Sequence, residues 1–130
     1  MDELLMEIHV DCGEPVSVTG VNRTVVMIPF TGEAAGELFN GRVIGTGVDT
    51  QKIDRDKKAI LSARYMLEGQ DASGNACRIF IENQGEWGAE LTPKIVTDSQ
   101  LLARWEDADL YATAEGIPGG VIIRIFSRGE

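Results

Sequence analysis

No stretch of this chain repeats its apolar residues at helical spacing for more than a turn or two, whereas period-two alternation returns throughout. Leu4, Met6, Ile8 and Val10 alternate with Leu5, Glu7, His9 and Asp11, which predicts a strand with one buried face. Leu61, Ala63, Tyr65 and Leu67 share one parity, as do Cys77, Ile79, Ile81 and Asn83. The turn residues Asp71-Ala72-Ser73-Gly74-Asn75 lie between these two runs, so they read as a hairpin. Arg23 to Phe30 is a β-branched run expected to be buried on both faces and closed by a turn at Thr31-Gly32-Glu33. Val16–Val18, Lys94–Thr97, Leu110–Glu115 and Val121–Phe126 are shorter extended segments. Only the stretch from Asp98 to Trp105 reads as helical, capped by Asp98 or Ser99.

Eight or nine short strands joined by turns, with one short helix and no recurring crossover helix, exclude a parallel α/β sheet. The reading is all-β: an antiparallel up-and-down meander of about eight strands, closed into a barrel because closure removes exposed edges. Such a barrel has an interior wide enough for side chains or one small ligand. The 130 residues show no repeat, linker or low-complexity tract, so residues 1–130 read as one domain.

Charge narrows the function classes. Twelve basic against twenty-one acidic residues give a formal net charge of −9. That surface repels phosphate backbones and anionic lipid, so neither nucleic acid nor membrane is expected as a partner. The run Lys52–Lys58 alternates in sign and reads as a solvated turn. The start at Met1-Asp2-Glu3-Leu4 has no basic and apolar leader pattern, and no apolar run reaches the ~20 residues of a membrane helix, so a cytoplasmic location is expected. Cys12 and Cys77 read as free thiols there, and two cysteines with the single His9 give no metal-ligand spacing, so neither metal nor cofactor is expected.

Four stretches carry a resemblance. These are Ile28-Pro29-Phe30-Thr31-Gly32; Gly41-Arg42-Val43 through Gly47-Val48-Asp49-Thr50-Gln51; Ala63-Arg64-Tyr65 with Gly74 and Ile81-Glu82-Asn83-Gln84-Gly85; and Pro93-x-Ile95-x-Thr97. In order and spacing they resemble the bacterial domain-of-unknown-function 3237 family. The resemblance implies an up-and-down β-barrel with a central cavity and brings no established general activity. The chain departs from that pattern at Thr50, where the family has tryptophan, and in a shorter segment after Asn83.

The candidate site follows from parity. Gly41, Val43, Gly45, Gly47 and Asp49 share one face, and glycines on a strand face mean close backbone approach or an unfilled volume. Asp49, if it faces that volume, is a desolvated carboxylate suited to anchoring a polar ligand or acting as a general base; alternatively it bonds turn amides at Thr50 and Gln51. Tyr65 and Asn83 fall on apolar faces and would converge with Asp49 on one polar patch, or satisfy each other. Arg64 and Glu82 have the opposite parity and read as an outward ion pair, unless a bulge turns Arg64 inward to bind a carboxylate ligand. His9 reads as a surface residue, and Trp87 and Trp105 as plugs or roofs at the barrel ends. With one histidine and no Gly-x-Ser-x-Gly elbow, triad chemistry is not expected.

Three functions remain open at this level. The first is a small-molecule-binding barrel holding an apolar or mixed metabolite at Asp49, Tyr65, Asn83 and Arg64. The second is a cofactor-free enzyme of isomerase or cyclase type with Asp49 as base. The third is a structural module that forms homo-oligomers through an apolar face around Ile122 and Phe126.

Overall fold

The computed structural model describes residues 1–129. It contains nine strands: β1 (Glu3–Cys12), β2 (Val16–Thr19), β3 (Thr24–Ala35), β4 (Phe39–Ile53), β5 (Ala59–Asp71), β6 (Ala76–Glu86), β7 (Thr92–Thr97), β8 (Leu110–Ile117) and β9 (Gly120–Ser127). The only helical element among the described residues is a four-residue 3₁₀ turn, Ala103–Glu106.

All strand pairs are antiparallel, and the sheet order is β7-β6-β5-β4-β3-β1-β9-β8, with β2 alongside the start of β3. The sheet is therefore an up-and-down meander in which the first and last strands pair, from Glu3 with Ser127 to Asp11 with Gly120. Its two ends, β7 and β8, meet only where Leu91 and Ala112 exchange backbone hydrogen bonds of 2.9 and 2.8 Å. The barrel-like curl thus has one continuous wall and one seam, and the segment between β7 and β8 packs beside that seam.

Two features of β3 explain how it runs straight through the expected turn at Thr31–Glu33. Its pairing with β1 is unbroken from Cys12/Phe30 to Glu7/Ala35. Gly32 is required within it because a Cβ there would stand 2.4 Å from the His9 carbonyl oxygen. Close backbone approach, not a turn, is what selects this glycine. Pro29 sits where one edge of β3 passes from β2 to β1, and its carbonyl accepts the Gly13 N–H at 2.7 Å. A residue with no N–H is tolerated at such a break in the ladder.

The irregularity lies instead in β4. Against β5, Ile44 faces Met66 while Val48 faces Arg64, so β4 carries two extra residues there; the same shift appears against β3. Gly45, at φ +62, makes this bulge and points into open space. A smaller irregularity in β1, between Leu4 and Met6, puts Leu5 in the core and leaves Leu4 half exposed, which corrects the alternation expected at that end.

The core is densest toward the start of β1 and the end of β5. Met6, Phe39, Leu67, Ile79, Leu102 and Trp105 are all under 2% exposed. Burying an aromatic or branched aliphatic side chain contributes about 1.5–3 kcal/mol, so this end carries much of the stability. Asp71 organises it: one carboxylate oxygen accepts from the Ser73 and Asn75 N–H groups at 2.9 and 3.2 Å, and the other from Ser99 Oγ at 2.8 Å. Ser99 Oγ in turn accepts the Leu102 N–H at 3.2 Å. Ser99 thus starts the turn that carries Trp105 inward, whereas Asp98 accepts the Arg78 N–H at 2.8 Å and caps nothing. No helix among the described residues is long and apolar enough to cross a membrane.

Candidate functional site

The opposite end of the interior is built on one transverse row. Ile28 pairs with Asp49, Asp49 with Ala63, Ala63 with Asn83 and Asn83 with Pro93, so five strands contribute one residue each. Neighbouring strands lie roughly 4.8 Å apart, which puts the backbones of Asp49 and Asn83 about 10 Å from each other with only the Ala63 methyl between them. One step along β5 on the same face, Tyr65 enters the same space. The resulting cavity has a volume of about 60 Å³, and its lining includes Asp49, Ala63, Tyr65 and Asn83, with Cys12 and Trp87 toward the outside.

Its polar groups are not satisfied by the protein. Asp49 Oδ2 accepts from Gln51 Nε2 at 3.0 Å, but Oδ1 is buried without a partner. The Tyr65 hydroxyl and Asn83 Oδ1 are likewise buried without partners, on side chains 5% and 4% exposed. An orphaned buried polar atom is unfavourable by about 1–3 kcal/mol, and although a few per hundred residues is usual, here three face one cavity. Burial pushes the Asp49 carboxyl above its ordinary value of 3.8, and the Gln51 amide only partly offsets it. Burial also raises the Tyr65 phenol, so it stays protonated and can donate. The Cys12 thiol is pushed up by desolvation, then by the Asp49 and Asp11 carboxylates, so it remains neutral.

The sequence places Asp49, Tyr65 and Asn83 on common faces, and the fold brings these three to one cavity. Arg64 is not among its lining: it is exposed on the outer face, because β5 itself carries no bulge and keeps one register with β6 throughout. The expected Arg64–Glu82 ion pair does not form among the described residues. The pair four rungs along, Arg78 with Glu68 at 2.9 Å, does. The unfilled volume expected beside Gly45 and Gly47 is also corrected. Gly45 lies in the bulge, and a Cβ on Gly47 would meet the Phe30 ring at 2.5 Å and Tyr65 Cβ at 2.9 Å. Gly47 therefore admits an aromatic ring, which packs edge-on to Tyr65 at 5.2 Å. The space belongs to Ala63, whose smallness among Leu61, Tyr65 and Leu67 is the signal that glycine counting overlooks.

The remaining candidates separate cleanly. His9 is exposed and paired with Glu7 at 2.9 Å. Trp105 plugs the dense end at 1% exposure, while Trp87 is 54% exposed at the cavity's edge. Phe126 is covered by the stacked Tyr111 ring at 5.0 Å, over which Arg128 sits at 4.3 Å. Among the described residues no group of three or more His, Cys, Asp or Glu side chains could hold a metal ion. A larger trough of about 660 Å³ crosses the outer surface near Glu68 and Arg78, which are paired with each other and half open to solvent.

With this geometry in place, comparison with known proteins is informative. A family model described as a protein of unknown function, DUF3237, matches residues 3–114. A UPF0311 protein of Clostridium acetobutylicum is 37% identical over 65 residues, which span 50% of this chain and 39% of that protein. The crystal structure of a protein with unknown function from Clostridium acetobutylicum superposes with a TM-score of 0.84 at 23% identity, over 98% of this chain and 95% of that one. The structure of an enzyme from Penicillium herquei superposes with a TM-score of 0.80 at 16% identity, over 98% and 92% of the two chains. At these identities the structural likeness concerns the fold alone.

Proposed function

This chain belongs to the DUF3237 family of proteins of unknown function, and from that premise we propose that it is a small-molecule-binding barrel whose interior receives the hydrogen-bond-donating end of an uncharged ligand. The observation that carries this reading is the set of three buried, partnerless polar atoms on one cavity: Asp49 Oδ1, Tyr65 OH and Asn83 Oδ1. Two of these can only accept while the aspartate is ionised, and the phenol can both donate and accept. A ligand hydroxyl answers that demand, donating to Asp49 or Asn83 and accepting from Tyr65. No basic side chain lines the cavity, so a carboxylate or phosphate end is disfavoured.

1-Hexanol, a hydroxyl on a slender apolar chain, is a suitable probe. In an NMR titration Tyr65→Phe and Asn83→Leu should each weaken its binding by about tenfold. Affinity unchanged in both variants would overturn the reading. Because Asn83→Leu removes an orphaned acceptor while keeping the branched shape and filling part of the void, it should also raise the melting temperature, separating lost binding from lost folding.

A second reading uses the same residues as an acid–base site for an isomerase- or cyclase-type proton transfer, with Asp49 as base and Tyr65 or Asn83 polarising a carbonyl. The raised pKa of Asp49 favours it, since a base is most effective when its pKa approaches the working pH. The Penicillium herquei protein of the same fold is an enzyme, which is consistent with a barrel of this kind hosting chemistry.

A further inference from the structure

The cavity is too small for the ligand that its polar groups call for. About 60 Å³ holds roughly two water molecules, and less than half of the ~150 Å³ that accommodates benzene. A hydroxyl and its attached carbon fit, so the rest of any larger molecule must lie elsewhere.

Directly outside is a groove of about 310 Å³. Trp87, Leu91 and Ala114 line both spaces, and the half-exposed indole of Trp87 stands at the boundary between them. The backbone under it is fixed: the Trp87 N–H donates to the Ala59 carbonyl at 2.9 Å, and the Ala89 N–H to the Glu86 carbonyl at 3.1 Å. Gly88 completes this turn at φ +89. The two spaces therefore share the indole as a common wall. Their combined size falls at the lower end of the ~300–1,000 Å³ of ordinary ligand pockets.

Resting on the reading above, we propose that the groove beside Trp87 is the outer half of the same site, and that it takes the apolar body of a neutral hydroxyl-bearing ligand whose polar end reaches Tyr65 and Asn83. The lining of both halves supports that class. Apart from Asp49 its one charged side chain is Glu90, which is already paired with Arg128. Leu91, Ala114 and the indole offer apolar contact along the path between the halves. The seam of the sheet matters here too. Leu91 forms the single bridge with Ala112, and Ala114 lies two residues beyond it, so the two halves meet where the wall has fewest hydrogen bonds.

Ethanol and 1-hexanol test this, because they share a head that fits the cavity and differ only in the body. In the unaltered protein 1-hexanol should bind at least about tenfold tighter. Thr113 lines the groove but not the cavity and is exposed on β8, so Thr113→Tyr fills the outer half alone. In that variant the advantage of the longer chain should vanish while ethanol binds within about twofold of its original affinity. No advantage in the unaltered protein, or one that survives Thr113→Tyr, overturns the two-part site and leaves the interior reading standing. Hexanol binding that ignores both Tyr65→Phe and Asn83→Leu overturns the interior reading, and the two-part site with it.

Discussion

The two ends of this barrel each hold an aspartate, and they treat it in opposite ways. Asp71 is 6% exposed and accepts three hydrogen bonds, from two turn amides and the Ser99 hydroxyl. The Ser99 hydroxyl first, and then the amides, hold its carboxyl below the ordinary value despite desolvation. Asp49 accepts one hydrogen bond, leaves one oxygen orphaned, and is held above that value by burial. Around Asp71 the space is filled by Phe39, Leu102 and Trp105; around Asp49 a single alanine leaves a cavity. The dense end is not free of strain in this currency, because Trp105 Nε1 also lacks a partner. The difference is that its orphan is alone in packed surroundings, whereas the open end gathers three on one void. Clustered unsatisfied groups beside a space are a better mark of a binding site than either the groups or the space.

The contrast can be broken by mutation. The largest effect is expected from Asp71→Ala, which strips the acceptor from two amides and Ser99 and frees the segment carrying Trp105. Its melting temperature should fall by about 10 °C, and a fall of only a degree or two would mean that the dense end does not depend on this network. Asp49→Asn should act in the other direction. Because the folded protein disfavours the ionised carboxylate, Asp49 destabilises the fold progressively as pH rises from the ordinary value of 3.8 through its raised value. Thermal melts should find the variant about 3 °C more stable at pH 7 and indistinguishable from the unaltered protein near pH 3. A loss of stability at pH 7 would place Asp49 with Asp71 as a structural residue. The same linkage run for Asp71, whose value is lowered, gives stability present above 3.8 and lost as pH falls through the lowered value. The smallest effect is expected at Arg64, exposed on the outer wall. Arg64→Ala should change stability by less than about 0.5 kcal/mol and leave 1-hexanol binding unaltered.

Much of this was legible before any coordinates. Period-two alternation identified the meander, and parity alone put Tyr65 and Asn83 on inner faces, because hairpin ladders such as β5–β6 keep one register from Ile60 to Gln70. What failed was the meaning given to glycine. Gly32 suggested a turn and is a crossing point of backbones; Gly45 suggested a void and is a bulge; Gly47 suggested a void and is filled by Phe30. Each depends on which distant strand lies opposite, and local pattern carries no such information. The role of Ala63 was hidden for the same reason, since a small residue creates space only if its neighbours across the ladder, here Asp49 and Asn83, do not reach over it.

The two extra residues in β4 have a consequence for how this fold can vary in length. Removing one residue between Ile44 and Val48 would leave a single-residue bulge like the one between Leu4 and Met6 in β1, and removing both would leave a regular ladder. Either way the pairing of Asp49 with Ala63 holds the carboxylate on the inner face. The bulge is therefore a buffer, where the chain can change length without displacing the aspartate from the lumen.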